Sequence, residues 1–91
     1  ISENMTNSKL SIFPNPANSS ATIALENLAN LNVDVTIINI LGAEVSKLYT
    51  GEIVSKYQEI FADLSDLEKG IYFVKVVNNG DVIMTDKLIV K

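Results

Sequence analysis

The sequence predicts an all-β domain in which seven short antiparallel strands form a two-layered sandwich. Seven runs enriched in β-branched and aromatic residues are separated by turn residues, at a spacing of roughly 8–12 residues that is typical of sandwiches. No segment keeps an apolar stripe at helical spacing over three turns. Asn79 and Gly80 stand between two of the runs, and this pair best tolerates the positive φ angles of a tight hairpin turn.

The predicted strands follow one another from residue 10 to residue 91. Their bounds are 10–13, 21–25, 33–40, 44–49, 57–62, 70–78 and 81–91. Pro14 and Pro16 end the first strand, because proline cannot donate a hydrogen bond to a ladder. With Asn15 in the first position and Pro16 in the second, a type I turn is expected there. The segment between the fifth and sixth strands is too short for a helix, and we predict a loop that crosses between the sheets.

The last predicted strand has two faces of different polarity, because alternate side chains of a strand point to opposite sides. The more apolar face is assigned to the core and consists of Val82, Met84, Leu88 and Val90. The other face consists of Ile83, Thr85, Lys87, Ile89 and Lys91. Asp86 interrupts the apolar face, which indicates a bulge at this residue. The predicted core as a whole consists of Ile12, Ile23, Leu25, Val35, Ile37, Tyr72, Val74, Val76, Leu88 and Val90.

The composition argues against several classes of function. The chain of 91 residues has a formal net charge of −4, and all its basic residues are lysines, so the arginine forks that recognise phosphate and guanine are missing. We therefore expect no nucleic-acid partner, and no insertion into a membrane because a long apolar run is also missing. Histidine and cysteine are absent, which removes the commonest proton shuttle, thiolate nucleophiles and cysteine-ligated zinc. The sequence thus predicts neither an enzyme nor a cofactor.

Two groups of side chains are candidates for a functional site. Asp63, Asp66 and Glu68 lie within six residues, but they lack the spacing and the glycine of a calcium loop, so a solvated crossover loop is favoured. Sugar binding requires exposed aromatic faces. The apolar strand contexts of Phe61 and Tyr72 assign both rings to the core, which leaves few aromatic faces for a sugar.

Four motifs occur in order along the chain. LSIFPNPA at 10–17 places an aromatic residue before Pro-Asn-Pro, and VTIINILGAEV at 35–45 joins two strands through Gly42. LEKGIYFVKV at 67–76 and KLIVK at 87–91 complete the set. In this combination residues 10–91 resemble the type A C-terminal sorting domain of the type IX secretion system of Bacteroidetes. Two mild departures are Phe13, where tyrosine is common, and Asn39, where aspartate is frequent.

The resemblance implies a seven-stranded antiparallel immunoglobulin-like β-sandwich with a role in protein transport. A cargo domain would precede residues 10–91 in the same chain, pass through the periplasm, and reach the cell surface or the medium. The implied partners are the outer-membrane translocon, which recognises the folded tag, and a sortase-like cysteine protease, which cleaves upstream of it. Residues 1–9 are polar and unpatterned, so we interpret them as a linker that this protease can reach.

Recognition by the translocon is assigned, as a hypothesis, to residues of the motifs and of the last strand. They are Pro14, Asn15, Pro16, Gly42, Gly70, Lys87, Ile89 and Lys91. A purely structural role is the alternative for each of them, since a motif that specifies a fold need not be a contact surface. The alternative function is an accessory carbohydrate-binding or adhesion sandwich of a secreted protein, and a structural spacer is the third. Position separates these functions, because only a sorting tag has to be C-terminal.

Overall fold

A computed structural model describes residues 7–91, and within that range the regular secondary structure consists of strands alone. The strands are β1 Lys9–Phe13, β2 Ser20–Glu26, β3 Asn32–Ile38, β4 Glu44–Glu52, β5 Tyr57–Asp63, β6 Gly70–Asn78 and β7 Asp81–Val90. All seven predicted strands are present. Over this part of the chain, no helix is long and apolar enough to span a membrane.

The strands form two antiparallel sheets. One sheet has the order β1-β2-β5 and the other has the order β4-β3-β6-β7. The predicted hairpin joins β6 to β7, with φ angles of 54° at Asn79 and 86° at Gly80. The all-β, seven-stranded antiparallel prediction is therefore confirmed. A constant-type immunoglobulin domain has its fourth strand beside the fifth, whereas β4 lies beside β3 here.

The inner faces of the two sheets share one apolar core. Every predicted core residue is buried in it except Tyr72, whose ring is half-buried and packs against its edge. Leu28, Ile53 and Leu64 complete the core from the connecting loops, which strand alternation alone does not predict. The assignment of Phe61 to the core is wrong. Phe61 is 69% exposed on the outer face of β5, because its neighbours Ile60 and Ala62 take the inward positions.

The sequence predicts a bulge in β7 at Asp86, but the bulge lies at Ile83. Met84 pairs with Val76 and Val82 pairs with Val77, so Ile83 is the extra residue. The extra residue reverses the alternation before it: Ile83 packs against the core, while Val82, assigned to the core, is 55% exposed. Asp86 stays in register, opposite Val74, and remains exposed because β7 is the edge strand of its sheet.

The N-terminal end of the described chain is attached to the loop between β2 and β3. The side-chain amide of Asn27 donates to the carbonyl of Asn7 at 2.7 Å, and the hydroxyl of Ser8 donates to the carbonyl of Asn27 at 3.0 Å. β1 begins at Lys9. Most of the predicted linker at 1–9 lies outside the described residues.

Candidate recognition surface

The eight residues assigned to recognition all lie toward one end of the sandwich. At this end β1 finishes at Phe13, β6 begins at Gly70 opposite Val90, and the turn from β3 to β4 follows Ile38. Ala17 joins the two sheets there by a parallel bridge to Val90. We call this end, made of the Pro14–Ala17 segment, the 39–43 turn, Gly70 and residues 87–91, the C-terminal end of the sandwich. Residues from four different motifs thus lie at one end of the sandwich.

Pro14-Asn15-Pro16 does not form the predicted type I turn. Residues 14–16 bend without the hydrogen bond of a turn, and Ala17 continues into a parallel bridge with β7 instead of turning the chain back. The backbone N–H of Ala17 donates to the carbonyl of Ile89 at 2.8 Å, and the N–H of Lys91 donates to the carbonyl of Ala17 at 2.9 Å. The segment therefore runs along the outer edge of β7 as a short cover strand.

Asn15 takes the place of a backbone peptide group in this cover strand. Its Nδ2 donates to the carbonyl of Lys87 at 2.8 Å, and its Oδ1 accepts from the N–H of Ile89 at 3.0 Å. Pro14 and Pro16 have no N–H to offer to β7, so the amide side chain supplies the donor that the backbone lacks. Together Asn15 and Ala17 satisfy four consecutive edge groups of β7, from Lys87 to Lys91.

We expect Asn15→Asp to destabilise the domain by about 1 kcal/mol at pH 7 and by less at pH 3.5. The introduced carboxylate can accept from Ile89, but it faces the Lys87 carbonyl without a proton to donate. Only the protonated carboxyl can donate there, so the folded state raises the pKa of the introduced group. The penalty is therefore complete above that raised pKa and disappears below the unfolded value of about 3.9.

Urea unfolding at the two pH values, compared with the parent at each, measures this effect. Asn18→Asp is the control, because Asn18 is exposed and the charge change is the same. An Asn15→Asp penalty that did not shrink in acid would contradict the role given to the Asn15 amide.

The last-strand residues of the recognition set differ in exposure. Lys87 and Lys91 are exposed, whereas Ile89 is half-buried beside its cross-strand partner Ile71. Because the backbone edge here is occupied by Asn15 and Ala17, a partner can contact these residues through their side chains and not by adding a strand.

Gly42 belongs to a turn that is fixed by the side chain of Asn39. Oδ1 of Asn39 accepts from the N–H groups of Leu41 and Ala43 at 3.0 and 2.9 Å, and the backbone N–H of Asn39 donates to the carbonyl of Ala43. An aspartate could accept the same two bonds. Gly42 has a φ of +89° with open space around its α-carbon, so the turn requires a glycine for its conformation and not for close packing.

Gly70 lies two residues before Tyr72, whose side chain joins β6 to the crossover loop. The hydroxyl of Tyr72 donates to the carbonyl of Glu68 at 2.7 Å, while its ring packs against the core. This arrangement, a tyrosine near the start of the sixth strand bonded to the backbone a few residues upstream, is a tyrosine corner. The motif at 67–76 therefore has a structural role as well as any role in recognition.

The carboxylates at 63–68 form the solvated loop that the sequence favours. Oδ1 of Asp63 accepts from the backbone N–H and the hydroxyl of Ser65 at 3.0 and 2.7 Å. These bonds stabilise the charged form and lower the pKa of Asp63. Residues 7–91 contain no group of three or more carboxylates placed to hold a metal ion.

Two features of this surface were not predicted from the sequence. Ala17 is completely buried and bonds to β7, although its place after Pro-Asn-Pro suggested a turn residue. Ile40, the last residue of the predicted strand 33–40, lies outside β3 and is 70% exposed in the 39–43 turn. The Asn39-to-Gly42 spacing was the available signal, because an Asn or Asp followed three residues later by Gly favours a turn.

Comparisons with known proteins support one assignment. Among solved structures, the alkylpurine DNA glycosylase AlkC of Pseudomonas fluorescens, bound to DNA containing an abasic site analogue, is similar over 91% of this chain and 29% of its own, with 19% identity and a TM-score of 0.49. A TM-score below 0.5 does not establish a common fold. No curated protein matches the chain.

The family model of the secretion system C-terminal sorting domain matches residues 11–91. The match runs from β1 through the cover strand, the 39–43 turn and the tyrosine corner to residue 91. It covers nearly the whole chain, and the family is one of sorting signals and not of enzymes. The chain therefore belongs to the type IX secretion C-terminal sorting domain family.

Proposed function

We propose that residues 10–91 are the export signal of a longer secreted protein whose cargo lies N-terminal to them. The family match over residues 11–91 carries this proposal, because the family consists of C-terminal sorting signals of type IX secretion. The outer-membrane translocon binds the folded domain in the periplasm. A sortase-like cysteine protease then cleaves upstream, within or before residues 1–9, and the cargo is released or joined to lipopolysaccharide at the cell surface. The domain supplies no catalytic group.

The placement of the two chain ends supports this division of roles. Asn7 and Ser8 bond to Asn27 at one end of a body 36 Å long, while residues 87–91 lie at the opposite end. A translocon component can therefore contact the C-terminal end of the sandwich without meeting the cargo. Residues 7–9, the described part of the proposed cleavage segment, lie at the end remote from residues 87–91.

We further propose that the fold is immunoglobulin-like in a variant form. The tyrosine corner at Tyr72 and the shared core of two antiparallel sheets support it. The placement of β4 beside β3 is the departure from the constant-type arrangement.

Export of a fused reporter tests the proposed function. A folded reporter would be joined to residues 1–91 behind an ordinary signal peptide, in a bacterium that has the type IX system. We expect the reporter outside the cell, with its new C-terminus within or before residues 1–9. Retention of the reporter in the periplasm would refute the proposal, and a cut after Pro16 would refute the place of cleavage.

The outer side chains of the last strand are expected to matter for export more than for folding. The triple variant Lys87→Ser, Ile89→Thr and Lys91→Ser should export the reporter poorly, because it removes exposed charge and apolar surface at the C-terminal end. Its free energy of unfolding should fall by about 1 kcal/mol or less, since threonine keeps the β-branch of Ile89 and the lysines are exposed. Thermal denaturation and the exported fraction are measured on the same fusion.

A matched control is the variant Lys9→Ser, Val54→Thr and Lys56→Ser, which changes exposed residues remote from residues 87–91. If the last-strand variant were stable and exported as well as this control, recognition would lie elsewhere on the surface.

A second candidate function is the accessory carbohydrate-binding module. It is favoured by one observation, the exposure of Phe13, Tyr57 and Phe61 on the outer face of the three-stranded sheet. Phe13 and Phe61 both pair with Thr22, so their rings flank one position. Titration calorimetry with soluble polysaccharides tests this function. A heat of binding that is measured with the parent and is absent with Phe61→Ala would support it.

A further inference from the structure

An apolar patch covers the outer face of the four-stranded sheet at the C-terminal end of the sandwich. It consists of Ile38, Ile40, Leu41, Ile71, Phe73 and Ile89. Ile38 pairs with Phe73 across β3 and β6, and Ile71 pairs with Ile89 across β6 and β7. These residues alternate with buried ones such as Val74, so they point away from the core. Ile40 and Leu41 follow directly in the 39–43 turn, beyond the end of β3, and both are exposed.

Leu41 is the most exposed part of the patch, and folding does not explain it. Leu41 is 88% exposed and Ile40 is 70% exposed, so neither side chain stabilises the core. The turn itself needs the acceptor of Asn39 and the positive φ of Gly42, and both requirements are independent of an aliphatic side chain between them. Large apolar residues that protrude together are typical of interaction sites.

The turn holds Leu41 in a fixed position. The N–H of Gly42 donates to the carbonyl of Asn39 at 2.9 Å, and this bond adds to the two bonds that Asn39 Oδ1 accepts and to the bond from its own N–H. A side chain on a rigid turn loses little conformational entropy when it enters a pocket. Leu41 thus has the properties of a preorganised anchor.

The charges around the patch indicate what kind of surface would receive it. Lys47, Lys75 and Lys87 lie on the outer positions of the same sheet, where Lys87 pairs with Phe73 of the patch and the other two pair with Thr36. The acidic residues on these outer positions are Glu44, which pairs with Ile38, and Asp34 and Glu52, which lie farther along β3 and β4 toward the opposite end of the sheet. Lysines therefore predominate next to the patch, although the whole chain has a net charge of −4. An apolar protein pocket with a rim of carboxylates complements both the patch and the lysines.

We propose that Leu41 is the anchor by which this patch docks into an apolar, acid-rimmed pocket on a protein of the type IX machinery. The inference rests on the proposed function and adds the docking surface and the chemistry of the partner. Leu41 fills the pocket, Ile40, Ile71 and Ile89 cover its mouth, and the lysines face the carboxylates.

The first experiment compares two exposed aliphatic residues at opposite ends of the sandwich. Val54 is 75% exposed in the loop between β4 and β5, far from the patch, so Val54→Ser is the matched control for Leu41→Ser. Both variants should melt within about 3 °C of the parent. We expect Leu41→Ser to lower the export rate of the reporter fusion about thirtyfold, as loss of a binding anchor does, and Val54→Ser to leave it unchanged. Equal export of the two variants would overturn the proposal.

The second experiment identifies what Leu41 touches. A photo-reactive benzophenone residue replaces Leu41 or Val54 in the exported fusion, and adducts are identified by mass spectrometry. An adduct with a known component of the secretion machinery from position 41, and none from position 54, supports the proposal. Export of both fusions with no such adduct from position 41 overturns it, whereas failure of the parent fusion to be exported overturns the proposed function itself. Leu41-dependent flotation with vesicles of lipopolysaccharide and phosphatidylglycerol would show that the patch docks on lipid, and would overturn the protein partner.

Discussion

Replacing Leu88 by alanine lowers the free energy of unfolding by about 2–5 kcal/mol. The side chain of Leu88 is completely buried in the middle of the shared core. Its strand cannot move inward to fill the space, because β6 holds one edge of β7 and Asn15 holds part of the other. A cavity therefore remains and adds to the lost transfer free energy. A domain of this size is stabilised by only about 5–15 kcal/mol, so the loss is a large part of the total.

Urea denaturation and the thermal midpoint measure the effect of Leu88→Ala. Each kcal/mol corresponds to roughly 4–8 °C in a domain of 60–100 residues, so the midpoint should fall by about 10 °C or more. Lys87→Ala is the control, because it changes the neighbouring, exposed residue of the same strand and should cost about 0.5 kcal/mol or less. A loss of unfolding free energy below about 1 kcal/mol for Leu88→Ala would mean that neighbouring side chains relax and fill the cavity.

Placing a glutamate at position 17 should be at least as damaging. Ala17 has no exposed surface, and its N–H and carbonyl both bond to the backbone of β7. Ala17→Glu would bury an unpaired carboxylate or push the cover strand away from β7. Either outcome costs about 3–5 kcal/mol, the range expected for an uncompensated buried charge.

Asn18→Glu is the matched control for this substitution, since Asn18 is the next residue and is exposed. It should unfold like the parent in urea, while Ala17→Glu should unfold at a much lower concentration. Freed of its cover, the edge of β7 would also offer unpaired backbone groups to other chains, so Ala17→Glu should elute from a sizing column as larger species. A monomeric, fully stable Ala17→Glu variant would show that the cover strand is dispensable.

The seven strands and the hairpin between β6 and β7 could be predicted, because both depend on signals within a short stretch of sequence. The β-branched runs, and the Asn79-Gly80 pair, specify extended backbone and a tight turn without help from distant residues. Alternation then placed Val35, Ile37 and Val74 correctly in the core. The same rule failed at Phe61, where both Ile60 and Phe61 are apolar and alternation alone could not decide which of them faces inward.

The features that escaped prediction depend on contacts between distant parts of the chain. The bulge at Ile83 reverses the alternation of only the first residues of β7, and Asp86 marked the wrong place because an edge strand tolerates an exposed charge on its inner side. The cover strand relies on hydrogen bonds from Asn15 to Lys87 and Ile89, which stand 72 and 74 positions later in the chain. For the candidate surface, the eight residues were assigned from the motifs. Their common position at one end of the sandwich could not be predicted, because it depends on the register of both sheets.

The parallel bridge of Ala17 to β7 also decides how the domain responds to mechanical load. A force that enters at Asn7 and leaves at Lys91 pulls along the strands, because these residues lie at opposite ends of the 36 Å body. The hydrogen bonds between the cover strand and β7 lie perpendicular to the applied force. They are therefore loaded in shear and must break together, because the force cannot break them one after another. A force applied to the last strand would thus move the domain intact more easily than it would unfold it.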